Sequence, residues 1–327
     1  MKRATTLLAV LIAIVLIPVA MHAQAQPAAA KKAPAKAYTP PRTPWGDPDL
    51  SGVYTNKDES GIPVERPGQF EGKKLDDVDD SEFAELLRER AQAAVARAPQ
   101  AGGETGAGPV HWYEHYDAKN SRPWLITEPA DGRIPPTTPE AAQRAAARAG
   151  ARAGRGPADS YEDRSLYDQC ITRGLPGSMT PAIYGNSYQI HQGPGFVAIR
   201  YEMIHETRII PLDGSAHVSG KIRTYMGDAR GRWDGNTLVV ETTNFMEKAA
   251  NRGASEKLKL IERFKPVSPS KVEWSVTYDD PATWARQWTF SMNLTKDPTQ
   301  APFEYACHEG NYGLTNILSA ARAEEKK

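Results

Sequence analysis

The 327-residue chain has only two cysteines, no surplus of either charge and a single long apolar run. Each shortage excludes something. Cys170 and Cys307 can build neither a disulfide-dense miniature fold nor a four-cysteine zinc site. Forty basic side chains stand against 40 acidic ones, so the basic excess of a dedicated nucleic-acid binder is missing. At 24% charged residues and a mean hydropathy of -0.56, this is not a multi-span membrane protein. Twenty-six glycines and 26 prolines punctuate it too often for an all-helical bundle. GxSxG, HExxH, CxxC, P-loop and GxGxxG runs are all absent, which removes the standard nucleophile, zinc and nucleotide signatures.

What is present begins with an export leader over residues 1–25. Lys2 and Arg3 precede the apolar run Leu7 to Ala20, and Ala23-Gln24-Ala25 supplies the small-x-small cleavage pattern. The run is shorter than the roughly 20 apolar residues of a membrane-spanning helix. A periplasmic or secreted protein starting near Gln26 is expected, with no stable membrane insertion once the leader is cut. In such an oxidising compartment Cys170 and Cys307 are expected to pair, closing a long loop. The rival reading is a reactive thiol at Cys307, beside His308.

Residues 26–44 form an Ala/Pro/Lys spacer without apolar periodicity. Residues 45–156 hold a first strand near Gly52-Val53-Tyr54, then a helix over 82–98 with Asp79 as N-cap and Glu82 three positions on. A second helical stretch, 139–155, carries Arg144, Arg148, Arg152 and Arg155 on one face. It reads as a solvated linker helix or, alternatively, an anion-facing stripe. Residues 157–320 read as an antiparallel β domain, followed by a charged tail, 321–327. Val197, Ile199, Tyr201 and Met203 alternate with polar neighbours, and Arg208 to Leu212 continues extended to the Asp213-Gly214 turn. Asp234-Gly235-Asn236 signals a hairpin into Thr237 to Thr243. Leu258 to Phe264 is expected to end in a turn at 266–270, and Val272 to Tyr278 forms the next strand. A last strand spans Trp284 to Leu294. Such short connections leave no room for crossover helices, so the fold class is mainly β. It is an antiparallel meander closing into a barrel or sandwich, with one or two peripheral N-terminal helices.

Several long stretches occur together and in order: ITEPADGRIPPTTPEA (126–141), CITRGLPGS (170–178), EMIHETRIIPLDG (202–214), MGDARGRWDGNTLVVETTNF (226–245), DDPATW (279–284) and EYACHEGNYG (304–313). Over roughly residues 122–325 the chain resembles a family of uncharacterised secreted proteins of soil and environmental bacteria. That resemblance implies export and a shared domain, with no established reaction. The opening Gly52-Val53-Tyr54 strand is also similar to calycin (lipocalin-type) barrels.

Polar groups that interrupt apolar strands are the candidates for chemistry. His205-Glu206 and His308-Glu309 are the expected acid–base pairs, because an imidazole titrates near working pH. A straight strand would bury His205 beside Met203, whereas a bend at 203–205 would expose it. Arg208, Arg223, Asp228, Arg230, Trp284 and Tyr312 are the expected substrate-binding groups, the arginines for a carboxylate or oxyanion. Ser268-Pro269-Ser270-Lys271 fits Ser-x-x-Lys but falls in a hairpin turn. No cofactor and no metal ligand is assigned. A divalent ion held by these imidazoles with His191 or His217 is the alternative. The expected partner is a small-molecule or glycan-derived ligand, with no nucleic acid. These features suit an exported acid–base enzyme of lyase, isomerase or hydrolase type. The alternatives are a calycin-like periplasmic binding protein without turnover and a structural envelope protein.

Overall fold

A computed structural model describes residues 38–96, 114, 119–300 and 303–326 of the chain. The leader and most of the spacer lie outside the described residues, as does His111-Trp112-Tyr113. Ten strands form one antiparallel sheet. They are β1 (Gly52–Thr55), β2 (Ile126–Glu128), β3 (Ser187–Gly193), β4 (Phe196–Tyr201), β5 (Thr207–Pro211), β6 (Asp228–Asp234), β7 (Thr237–Thr243), β8 (Lys259–Ser268), β9 (Lys271–Asp279) and β10 (Trp288–Lys296). Nine follow the order β5-β4-β3-β1-β10-β9-β8-β7-β6, and β2 pairs with β10 off that path. The path's two ends, β5 and β6, lie side by side, so the sheet curls into a nearly closed barrel. Gly231 of β6 permits this approach. A Cβ there would stand 2.6 Å from the Leu212 side chain and 2.8 Å from that of Ile210.

Alternation sets which faces turn inward. Along β9, Val272, Trp274, Val276 and Tyr278 are buried while the residues between them are not. Two boundaries differ from the sequence expectation. β8 does not stop at Phe264 but continues through Pro266, which sits where the pairing register shifts. A proline is tolerated there because a bulge needs no ladder N–H. β10 starts at Trp288, not at Trp284. The Asp280 carboxylate accepts hydrogen bonds from Ala282 N, the Thr283 hydroxyl and Ser255, and these local bonds hold 280–284 as a turn. Trp284 is core, edge-on to Tyr278 at 5.3 Å and to Trp288 at 5.6 Å between centroids.

Three helices accompany the barrel, α1 (Asp80–Ala96), α2 (Pro139–Ala151) and α3 (Tyr312–Glu324). Asp79 Oδ1 accepts from the Ser81 and Glu82 amides, and Glu82 Oε2 accepts from Asp79 N, the expected reciprocal cap of α1. Helix α2 is largely solvated, as a linker helix would be, but its arginine face is not a free stripe. Arg144 donates to Ala282 O and Thr283 Oγ1, Arg148 to Glu247, Arg152 to Asp163 O, and Arg155 just beyond the helix to Asp163. Helix α3 is capped by the Asn311 side chain, which accepts from Leu314 N.

The barrel interior is filled by side chains such as Tyr188, Ile199, Leu238, Leu260, Phe264 and Trp274. One ion pair crosses it. Arg208 of β5 reaches Glu262 of β8 at 2.5 and 3.2 Å, and Trp274 Nε1 donates to the same carboxylate at 3.1 Å. Burial opposes the charge on Arg208, but the adjacent Glu262 carboxylate outweighs it and raises the guanidinium pKa. Arg208, expected to meet a ligand, is therefore a buried cross-tie between strands on opposite sides of the β5–β6 seam.

The two barrel ends are built differently. Tight hairpins join β3 to β4, β6 to β7 and β8 to β9 at one end. The longer β4–β5 and β7–β8 connections and the segment entering β3 gather at the other. Long connections on a rigid scaffold are where binding groups are usually carried.

Candidate functional site

The segment 165–184 and the β7–β8 connection fold over the long-connection end and line two neighbouring chambers that are open to solvent on one side. The larger, about 560 Å3, is walled by Tyr167, Thr172, Arg173, Tyr184 and Lys248 among others. The smaller, about 260 Å3, has interior-facing Tyr278, Phe290 and Met292 as its floor. Thr180 and Asn251 line both. A further open groove, about 710 Å3, continues from the larger chamber past Arg164 to Arg148 and Arg152.

Backbone conformation marks the same region. Cys170, Ile204, His205 and Arg252 all have left-handed φ, between 47° and 63°. Such conformations cost about 1–3 kcal/mol per non-glycine residue and concentrate at ligand clamps and active sites. At Ile204, which is buried and β-branched, the left-handed φ is most unusual.

Electrostatics distinguish the larger chamber. Two cations, Arg173 and Lys248, line it, and no acidic residue does among the described residues. Arg173 Nη1 is buried without a hydrogen-bond partner, and the side chain forms no ion pair among the described residues. Its guanidinium lies over the Tyr167 ring, 5.7 Å from the centroid. Tyr184 and Tyr305 share a hydrogen bond of 3.2 Å, and burial raises the pKa of the Tyr305 phenol. Protonated phenols beside an unpaired guanidinium make a donor-rich surface suited to an anion.

The C-terminal segment packs behind this site, tied to its walls at Tyr184 and beside them at Cys170. Cys170 and Cys307 form a disulfide, so the reactive-thiol alternative does not hold. Asn311 Nδ2 donates to Asp168 O, and the His205 Nδ1–H donates to Tyr305 O at 2.7 Å. Because its partner is a carbonyl, that bond requires a hydrogen on Nδ1 and holds the ring in one orientation. The chain bends at Met203–His205, so His205 is exposed rather than core. Glu206 is half-buried and accepts from the Thr172 hydroxyl at 2.8 Å. Burial raises its pKa against the lowering effects of Thr172 and Arg208.

The structure thus draws His205, Glu206 and the 304–311 segment to one region. His308 and Glu309 are exposed there and form no side-chain hydrogen bond or ion pair among the described residues. Tyr312 begins α3 and is 74% exposed. None of the sequence candidates lines either chamber. Arg223 donates to the Phe245 and Glu256 carbonyls, bracing a loop. Asp228 joins His217 at 2.8 Å and Arg230 at 2.8 Å, and Arg230 also holds Ala216 O. Among the described residues no three His, Cys, Asp or Glu side chains converge as a metal site. No helix among them is long and apolar enough to cross a membrane.

Sequence reasoning missed Arg173, Lys248, Asn251, Arg252 and Glu59. They occupy irregular loops, where periodicity is silent. The one usable signal was an arginine inside the Gly- and Pro-rich CITRGLPGS run. Compared with known proteins, the chain matches no protein-family model, no curated protein and no solved structure.

Proposed function

We propose that this is an exported protein that binds small organic carboxylates, sugar acids included, at the roofed end of its barrel. The buried, unpartnered Nη1 of Arg173 is the observation that carries this reading. A guanidinium in a partly enclosed chamber free of lining acids favours a planar oxyanion, which it grips through paired N–H donors. Lys248 adds a second positive charge at the rim, and Tyr167 supplies a ring against which a ligand can lie. The apolar leader with its small-x-small cleavage pattern supports export.

A thermal-shift series tests the assignment. Succinate and galacturonate raise the unfolding temperature, whereas galactose at the same concentration does not. In Arg173→Ala the acid-dependent shift disappears. Equal shifts with galactose, or an undiminished shift in the variant, would refute it.

A second reading, turnover of the bound acid, rests on Glu206. Its carboxyl has a raised pKa and is hydrogen-bonded to the hydroxyl of Thr172, a residue of the chamber wall. A proton can pass between ligand and Glu206 through that hydroxyl, which gains one proton as it gives up another. If an acid is consumed in a solution followed by proton NMR, Glu206→Gln slows its consumption by about 10²–10⁴-fold while binding persists. An unchanged rate in the variant excludes Glu206 as the acid–base group.

A further inference from the structure

We propose that the acid recognised here is a hydroxyaryl carboxylate, its carboxylate on Arg173 and its ring in the smaller chamber. This deepens the carboxylate reading and rests on it. Thr180 and Asn251 line both chambers, which are therefore neighbours, and the proposed ligand lies across that boundary. Their chemistry is unequal. The larger has the two cations, whereas the smaller is walled mainly by Ile62, Val64, Leu125, Phe290 and Met292. A carboxylate belongs in the first and an apolar body in the second.

Size and surroundings select a ring. An engineered apolar cavity of about 150 Å3 accommodates benzene, so 260 Å3 holds a substituted ring. At the rim, the Arg252 guanidinium lies over the Trp288 ring at 5.9 Å and forms no ion pair among the described residues. A second aromatic ring can share that guanidinium face. Asn251 Oδ1 already accepts from the Tyr278 hydroxyl at 2.8 Å, which fixes the amide. Its Nδ2 faces the Gly177 side of the boundary and remains a donor for a ligand oxygen.

Glu59 selects the hydroxyl. It lines the smaller chamber, is only 4% exposed, and its Oε2 accepts from the Ser121 hydroxyl at 2.5 Å. Burial, outweighing Ser121 and Arg122, raises its pKa. The Ser121 hydroxyl and the Asn293 amide already serve this carboxyl, and a phenolic hydroxyl in the chamber would add a further hydrogen bond that an unsubstituted ring does not offer. Ring, hydroxyl and carboxylate together define the class.

The test is calorimetric titration of the full mature chain with 4-hydroxycinnamate, cinnamate, phenol and succinate. On the account given, 4-hydroxycinnamate binds at least about tenfold tighter than succinate or phenol, and more tightly than cinnamate. Val64→Phe fills the smaller chamber, and it weakens 4-hydroxycinnamate about tenfold while leaving succinate within about twofold. Val64→Ala removes wall contact without adding bulk, and it weakens the aryl acid alone by about threefold. If succinate binds as tightly as the aryl acid and both variants leave the series unchanged, the ring assignment is overturned and the carboxylate site stands. If no acid shows binding that depends on Arg173, both readings fall together.

Discussion

Replacing both Cys170 and Cys307 by serine should lower the stability of the folded chain by about 4–5 kcal/mol in the chain-entropy description of a cross-link. The bridge spans 137 positions, so its removal releases a very long loop in the unfolded state. The folded state also loses local order. Cys307 holds the segment in which Tyr305 bonds both His205 and Tyr184, and Asn311 bonds Asp168 O beside Cys170. The Tyr184 wall of the larger chamber should then lose its Tyr305 support while the barrel's strand ladders persist. Urea unfolding measures the first effect, and amide hydrogen exchange over 303–326 measures the second. Unaltered exchange in that segment would mean that α3 docks without the bridge.

The second large effect concerns the ion pair inside the barrel. Glu262→Leu strands the Arg208 guanidinium, which cannot shed its proton, among apolar side chains. The expected loss is about 3–5 kcal/mol, since breaking a buried pair leaves an uncompensated charge. Arg208→Met should cost less, because Glu262 keeps its bond from Trp274. The double variant, Arg208→Met with Glu262→Leu, removes both charges and should recover most of the loss. Denaturant unfolding of the three variants decides. A Glu262→Leu variant within about 1 kcal/mol of the parent would show that the pair does not brace the β5–β6 seam.

How much of this was legible in the sequence depended on whether local pattern and tertiary context agreed. Where alternation and turn chemistry coincide, as around Asp234-Gly235-Asn236 and along Val272 to Tyr278, the strands fall where the residues place them. Trp284, Arg286 and Trp288 continue the alternation of β10 toward its start, yet the Asp280 carboxylate turns that stretch into a loop. Period-two counting has no access to a side chain that bonds the backbone two residues on. Glu262 likewise occupies an inward position, and nothing nearby in sequence announces that Arg208 meets it across the barrel.

Candidate chemistry was legible as residue type and not as direction. Imidazoles and carboxylates near 205 and 308 stood out, but their aim depends on the left-handed backbone at Ile204 and His205 and on the cross-link at Cys307. Arg173 and Arg252 looked like ordinary loop arginines. Only the enclosure made by Tyr167, Tyr184 and the β7–β8 connection gives Arg173 its unpaired, partly enclosed character. Burial and pairing arise from contacts distant in sequence, so neither can be read from composition or spacing.

The most direct measurement is isothermal titration of succinate into the wild-type chain and into Arg173→Gln, which leaves a shorter, neutral amide in place of the guanidinium fork. Saturable binding to the wild type, weakened at least about tenfold in the variant, is the predicted result. Equal affinity in the two proteins would contradict the carboxylate site at the roofed end of the barrel.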